Sequence, residues 1–213
     1  MDIKKLLAQD SELEEESECF ISADYEQHPD DLVNGVIVIH EPITEKLWEK
    51  IVRPLKRLET DREIEEITLY LSTTGGDVEA AMSFCDVIDS ISVPTNLILF
   101  ESVWSAGMLM ACSGSKNPNV TTYSYPSTLG VMHKPSILGY NERLTFEELE
   151  QLTAILERRH QMMRTYIVEH TNFSYETYDQ LITDKDLYLT AEQMKEYGIV
   201  DEIITGETDV VFL

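Results

Sequence analysis

The chain of 213 residues has few basic residues, few cysteines and no long apolar run. Its 16 Lys and Arg residues are outnumbered by 40 Asp and Glu residues, which gives a formal net charge of −24. Such a charge repels phosphate backbones and anionic lipid surfaces, so nucleic acid and membranes are poor partner candidates. The longest apolar runs, LILF and AGMLMAC, are much shorter than the about 20 residues that a transmembrane helix needs.

The three cysteines, Cys19, Cys85 and Cys112, are scattered along the chain. Their spacing is not that of a metal site, and an odd count argues against a disulfide framework. The acid-rich N-terminal segment also differs from a secretory signal and from an Arg-rich transit peptide. We therefore expect a cytoplasmic protein. Residues 1–31 contain 11 acidic residues and two lysines, a composition typical of a solvated tail or a mobile arm.

The rest of the sequence alternates between β-rich runs and helical patterns. Pro54 should kink or break the first helix. The alternation predicts right-handed crossovers and a largely parallel sheet, in one α/β domain over residues 32–213. Short β-like runs, VTTYSY and TLGVMH, follow in the second half. The predicted strands of the first half are residues 34–40, 66–72 and 95–100, and its predicted helices are residues 44–59, 77–91 and about 105–112.

The clearest single element is a helix predicted over residues 145–169. Apolar residues recur there at spacings of three and four, and Thr145 with Glu148 forms a capping-box pattern at its start. Such a helix is about 37 Å long at roughly 1.5 Å per residue. Because it should project beyond the core of its own domain, its Met- and Leu-bearing surface would need a partner. We therefore expect oligomerisation.

Two turns of small residues lie at predicted strand-to-helix junctions: Gly75-Gly76 after the second strand and Ser105-Ala106-Gly107 after the third. Ligands bind at the carboxyl ends of parallel strands, and two such turns side by side could direct two N–H groups at one carbonyl oxygen. The alternative at both turns is ordinary packing around small residues. Neither turn matches a phosphate-binding loop, and the G-x-S-x-G elbow of other hydrolases is absent.

A serine nucleophile also needs a base and an orienting acid. Among the five histidines, His133 closes the run TLGVMHKP, where Pro135 ends strand pairing and exposes the strand end. A histidine at the end of a strand is more often structural than catalytic. Its position alone therefore does not identify the base.

Four blocks of the sequence, in order, resemble the ClpP family, the proteolytic subunits of the Clp protease. LYLSTTGGDVEAAMSFCDVI resembles the family's strand, paired glycines and following helix, and SVWSAGMLMACSG resembles its nucleophile turn. STLGVMHKP is similar to the block that carries the histidine. TDKDLYLTAEQMKEYGIVDEIIT is similar to the terminal block that carries the aspartate. The resemblance covers roughly residues 34–205.

The resemblance implies a Ser-His-Asp triad in which Ser105 is the nucleophile, His133 the general base and Asp186 the orienting acid. Asp184 is a nearby alternative, but Asp186 keeps register with the Thr190-Ala191 helix start. The backbone N–H groups of Gly76 and Ala106 would form the oxyanion hole.

The resemblance also implies where the substrate binds. The segment SILGYNERL, residues 136–144, is similar to a substrate-lining strand and handle region, where an extended peptide could pair by strand addition. The implied substrate-binding residues are Gly75, Trp104, Leu138, Gly139 and Tyr140. The sequence departs from the family in four places: Thr74 replaces a proline, Trp104 replaces a small residue, three residues are added around SKNPNV, and the acidic segment 1–31 has no matching counterpart.

As a whole, the resemblance implies a ClpP/crotonase-like α/β fold and a serine endopeptidase that cleaves unfolded polypeptides without a metal or a cofactor. Two stacked heptameric rings of identical subunits would work with an ATP-dependent AAA+ unfoldase of the Clp type. The long helix would meet its mates between the rings. Two alternatives stay open: a non-catalytic ring subunit that acts as a scaffold, and a crotonase-like acyl-CoA enzyme.

Overall fold

The computed structural model describes Leu32 and residues 34–136, 144–183 and 185–205. The acidic segment 1–31 lies outside the described residues. The described chain forms one sheet in which β1, β2, β3, β4 and β7 are neighbours in that order and all parallel. β5 runs parallel to β3, and β6 pairs antiparallel with β5. The strands are β1 (Val36–His40), β2 (Ile67–Thr73), β3 (Thr95–Trp104), β4 (Val120–Ser124), β5 (Leu129–Met132), β6 (Leu187–Leu189) and β7 (Glu202–Ile203).

Helices connect these strands, as the alternating pattern of the sequence predicts. The mostly parallel sheet with helical crossovers confirms the predicted α/β class. α5, β6 and β7 were not predicted, since each is short and has no clear hydrophobic period. The helices are α1 (Arg53–Thr60), α2 (Val78–Asp89), α3 (Ala106–Cys112), α4 (Phe146–His170), α5 (Tyr175–Leu181) and α6 (Ala191–Glu196).

The first helix continues through Pro54, where the sequence predicted a kink or a break. A π-helical turn, Trp48–Val52, leads directly into α1, and Pro54 lies in the first turn of α1. Proline lacks the N–H that would bond one turn back, and the first turn of a helix is where this loss is tolerated. The helix therefore changes from π to α geometry just before Pro54 and is not interrupted there.

The core lies between the sheet and the helices α2 and α3. Phe84 and Ile88 of α2 are fully buried, and so is every residue of α3. The sheet contributes Leu69 and Leu71 of β2 and Leu99 of β3, all without exposed surface. Because α3 is buried along its whole length, its N-terminal turn is held firmly at the carboxyl end of β3.

β3 is longer than predicted, because it continues past an irregularity at residues 100–102, the β3 bulge. Leu71 of β2 pairs with Leu99, but Thr73 pairs with Val103, so β3 has extra residues between the two pairs. β3 pairs with β4 as far as Leu99, before the bulge, and with β5 from Ser102 onward. Glu101, in the bulge, has a φ of 50°. The bulge therefore redirects the strand toward β5.

α4 agrees closely with the predicted helix and begins with the predicted capping box. Its C-terminal half packs on the core through Met163, Tyr166 and Ile167. Its N-terminal half leaves Phe146 and Leu149 exposed, at 71% and 51% of their surface. No helix in the described part of the chain combines the length and apolar character needed to cross a membrane.

Replacing Thr145 by Ala should lower the free energy of unfolding by about 1 kcal/mol, because the first turn of α4 loses its cap. The Thr145 hydroxyl accepts from the Glu148 N–H at 3.2 Å, and the Thr145 N–H donates to the Glu148 carboxylate at 2.8 Å. Urea titration at one fixed protein concentration measures the change. Thr153→Ala, at an exposed position inside the same helix, is the control and should be neutral or slightly stabilising. Equal destabilisation by both variants would contradict the assignment of the cap.

Candidate active site

The ends of β3, β5 and β6 meet at the start of α3. Trp104, the last residue of β3, pairs with Val131 of β5, and the Ser105 N–H donates to the Val131 carbonyl at 2.7 Å. In the antiparallel pair, Met132 is opposite Leu187. His133 follows Met132 and Asp186 precedes Leu187, so the two residues flank this last pair on the same side. The backbone therefore brings the three residues predicted as a triad to the same end of these strands.

Ser105 has an unusual backbone conformation, with φ 53° and ψ −119°. A positive φ is costly for a residue with a Cβ and persists only where the surrounding structure enforces it. Ser105 is half-buried and directly precedes the first residue of α3. Its hydroxyl has no hydrogen-bond partner in the described part of the chain. The side chain is thus held at a sharp turn, and its hydroxyl is available to a general base, which a serine nucleophile requires.

Gly75 lies directly against this turn. A Cβ on Gly75 would lie 2.7 Å from the Cβ of Ser105 and 2.8 Å from the Trp104 carbonyl oxygen. Gly75 also has a φ of 94°, a conformation that L side chains rarely adopt. The close approach of the two turns therefore needs glycine at this position.

Gly76 is held from its other side by Ile43. The Ile43 N–H donates to the Gly75 carbonyl at 2.7 Å, and the Ile43 carbonyl accepts from the Asp77 N–H at 2.8 Å. A Cβ on Gly76 would collide with the Ile43 carbonyl oxygen. Ile43 and Gly76 thus form an isolated parallel β-bridge. Its two hydrogen bonds use the Gly75 carbonyl and the Asp77 N–H, so they leave the Gly76 N–H unused.

Ala106 supplies a second unused N–H at the start of α3. Neither this N–H nor that of Gly76 has an acceptor among the described residues. The Ala106 nitrogen lies 3.2 Å from the place of a Cβ on Gly75, the residue before Gly76, so the two turns are in contact. A helix N-terminus adds a partial positive charge to such a place. Unpaired amides at a helix start are suited to stabilising a negatively charged oxygen.

His133 is half-buried, and its Nδ1 lies 2.7 Å from the Lys134 carbonyl oxygen. A carbonyl only accepts hydrogen bonds, so Nδ1 carries the proton and donates it. In the neutral ring, Nε2 then holds the lone pair. This is the tautomer in which Nε2 can accept a proton from a hydroxyl.

Asp186 is exposed, and its carboxylate accepts a long hydrogen bond of 3.4 Å from the Tyr188 hydroxyl. No hydrogen bond joins the side chains of Ser105, His133 and Asp186 to one another in the described structure. Asp184, the alternative acid, lies outside the described residues. The same holds for three of the predicted substrate-binding residues, Leu138, Gly139 and Tyr140.

Trp104, another predicted substrate-binding residue, is 38% exposed directly beside Ser105. Cys85 and Cys112 pack behind the site on α2 and α3, where burial raises the pKa of both thiols. A thiol kept protonated in this way is a poor nucleophile. Within the described residues, no group of three or more His, Cys, Asp or Glu side chains could hold a metal ion.

Sequence reasoning missed the residues that hold the glycine turn from behind. The Thr73 hydroxyl donates to the Glu41 carbonyl at 2.8 Å and accepts from the Gly75 N–H at 3.1 Å. Together with the two backbone bonds of Ile43, this fixes the turn to the chain that follows β1. Such bonds use mostly backbone atoms, so no side-chain pattern in the sequence signals them.

Gly107→Ala should lower both the stability and any activity of the site, because its methyl group would collide with Thr73 Cγ2 and crowd Val103 Cγ1 at 3.2 Å. Overpacking of this kind costs about 1–3 kcal/mol. Adding Thr73→Ser removes the colliding methyl group but keeps the hydroxyl that holds the Gly75 turn. The double variant should recover most of the loss in thermal melting, and a double variant as unstable as Gly107→Ala would contradict this packing.

Comparison with known proteins identifies the family and the fold. The family model for Clp protease matches residues 26–207. Among solved structures, a mutant of ClpP1 from Listeria monocytogenes is similar, with a TM-score of 0.69 and 27% sequence identity. That match covers 84% of this chain and 95% of the other. The mostly parallel α/β architecture is therefore the ClpP fold, and the chain belongs to the Clp protease family.

Proposed function

We propose that this chain is an active serine endopeptidase, the proteolytic subunit of a ring-shaped Clp protease that cleaves unfolded polypeptides. Family membership supports a Clp-type protease subunit, and a serine peptidase in general. The proposal adds the residues: Ser105 as nucleophile, His133 as general base and Asp186 as the acid that orients it. The backbone N–H groups of Gly76 and Ala106 form the oxyanion hole.

The observation that carries the proposal is the contact between the Gly75-Gly76 turn and the Ser105 turn. It combines a serine in a strained conformation with two amides, one from each turn, that have no acceptor among the described residues. A pure packing role for the small residues explains neither the strain nor the unused donors. Strain and unused donors at one point are typical of an active site.

In the proposed reaction, Ser105 Oγ attacks the carbonyl carbon of a peptide bond while His133 Nε2 accepts the hydroxyl proton. The carbonyl oxygen becomes an oxyanion that accepts hydrogen bonds from the two amides. His133 then donates its proton to the leaving amine, and the C–N bond breaks. Water, activated by the same imidazole, hydrolyses the acyl-enzyme ester and regenerates Ser105.

Asp186 takes part when the His133 ring turns from the Lys134 carbonyl toward the carboxylate. The pairing of β5 with β6 supports this role, because His133 and Asp186 flank the last pair, Met132–Leu187, on the same side. The Lys134 carbonyl and the Asp186 carboxylate would accept from the same Nδ1–H. Rotation of the ring therefore leaves the tautomer of His133 unchanged. The carboxylate adds what a carbonyl lacks, a full negative charge next to the imidazolium.

The substrate side of the proposal rests on Gly75 and Trp104, which border Ser105. We propose that an extended peptide lies along this edge and along the segment of Leu138, Gly139 and Tyr140. Trp104 would narrow the pocket for the side chain next to the cleaved bond.

The family match and the exposed surface of α4 support the proposal that this chain forms an oligomer. We propose two stacked heptameric rings of this chain in the cytoplasm, served by an AAA+ unfoldase of the Clp type. The exposed Phe146 and Leu149 on the N-terminal half of α4 support an oligomer, since large apolar side chains at 71% and 51% exposure favour a partner surface.

A second candidate function is a non-catalytic ring subunit. It is favoured by the hydrogen bond of His133 to the Lys134 carbonyl and by the lack of a bond from His133 to Ser105 among the described residues. The third alternative from the sequence, an acyl-CoA enzyme, has no support from the family match.

Ser105→Ala should reduce hydrolysis of a fluorogenic peptide by at least about 10³-fold, because the attacking oxygen is removed while binding remains. Ser115→Ala, at an exposed serine beyond α3, is the matched control and should hydrolyse the peptide at the wild-type rate. Native mass spectrometry should find the same assembly in both variants. A wild-type protein that assembles but does not cleave would favour the scaffold, and full turnover by Ser105→Ala would exclude Ser105 as nucleophile.

A further inference from the structure

Three polar side chains outside the proposed triad lie near the carboxyl ends of β1 and β2 and in the β3 bulge. His40 Nε2 is 3.0 Å from Glu101 Oε2, and the Ser72 hydroxyl donates to the same oxygen at 3.5 Å. The His40 ring also contacts the Phe100 ring, with 5.4 Å between ring centroids. We call His40, Ser72 and Glu101 the strand clamp, because they join three neighbouring strands.

Glu101 belongs to the β3 bulge and has a φ of 50°. Among the described residues, the only other non-glycine with positive φ is Ser105, four positions later. An exposed ion pair contributes little to stability by itself, and the Glu101 side chain is 63% exposed. Here, however, the pair ties a residue in an unfavourable backbone conformation to the adjacent strands, which opposes relaxation of the bulge.

His40 and Glu101 each lie a few residues before a segment that positions one of the two amides of the proposed oxyanion hole. Three residues after His40, Ile43 holds Gly75 and Asp77 by backbone hydrogen bonds. Four residues after Glu101, the chain reaches Ser105 and then Ala106. A link between His40 and Glu101 therefore fixes the chain that positions the Gly76 N–H relative to the chain that positions the Ala106 N–H.

We infer that His40 and Glu101 are positioning residues for peptide hydrolysis, which set the distance between the two oxyanion amides by clamping the β3 bulge. The inference rests on the proposed function. Neither side chain needs to touch the substrate, because Glu101 acts on the backbone of β3 and His40 acts on Glu101.

The test compares variants that separate the clamp from the strain. Glu101→Ala removes the carboxylate and keeps a Cβ at positive φ, so the bulge should relax and kcat should fall about tenfold with KM nearly unchanged. Glu101→Gln keeps an oxygen that can accept from His40 and should recover most of the rate. Glu101→Gly removes the clamp and also the strain, so it too should recover most of the rate.

His40 supplies the second arm of the test. His40→Ala should lower kcat as Glu101→Ala does, but it should have no further effect in a Glu101→Gly background, where no strained residue needs the clamp. Glu49→Ala, which breaks the exposed Arg53–Glu49 pair of the first helix, is the matched control and should leave kcat unchanged.

The outcomes separate this inference from its rivals. If Glu101→Gly is as slow as Glu101→Ala, the carboxylate acts directly and the positioning role is wrong. If Glu101→Ala and His40→Ala only lower the melting temperature and leave kcat unchanged, the clamp has a structural role alone and the inference is again wrong.

If the wild-type protein proves to be inactive, crystal structures of the wild type and of the Glu101 variants test the inference without a rate measurement. The inference then predicts that the Ala106 nitrogen moves relative to the Gly76 nitrogen by about 0.5 Å or more in Glu101→Ala, but not in Glu101→Gly. Unchanged positions in both variants would overturn the inference, whereas inactivity alone would overturn only the proposed function.

Discussion

The contact between two strand-to-helix turns is the constraint on which the site depends. Gly75 and Ser105 approach so closely that a Cβ on Gly75 would lie 2.7 Å from the Cβ of Ser105. Each turn is also fixed from the opposite side, Gly75 by Ile43 and Thr73, and Ser105 by Val131. The approach therefore brings together one serine and two amides that have no acceptor among the described residues.

The larger fold supplies the conditions for this contact. Parallel strands bring the carboxyl ends of β2 and β3 to the same edge of the sheet, and the buried helix α3 holds the second turn in place. The β3 bulge then moves β3 from β4 to β5, so that β5 and β6 can bring His133 and Asp186 to the same edge. The residues proposed as catalytic are distant in sequence, and the strand pairing brings them to the same end of the sheet.

The sequence predicts the parts of this structure that depend on local pattern. Buried parallel strands read as apolar runs, which located β1 and β2, and the capping-box residues Thr145 and Glu148 located the start of α4. It did not predict that β3 continues to Trp104, because Glu101 and Ser102 interrupt the apolar run. Pro54 was expected to interrupt the first helix because the preceding π-helical turn has no signal in the sequence.

For the site, the sequence indicated which residue types matter, but not how they are arranged. Gly75 and Gly76 were visible as a turn before a helix, yet the need for glycine at each position comes from contacts with Ser105 and Ile43. His133 and Asp186 were assigned by resemblance to a family. Their hydrogen bonds to the Lys134 carbonyl and from the Tyr188 hydroxyl depend on side-chain rotation, which no sequence pattern specifies.

The most direct test of the central claim is covalent labelling by a fluorophosphonate, followed by peptide mapping with mass spectrometry. If the two turns form a working nucleophile site, the adduct forms on Ser105, and Gly75→Ala slows labelling by about 100-fold because the added methyl group displaces the serine. An adduct on another residue, or an unchanged labelling rate in Gly75→Ala, would contradict the account.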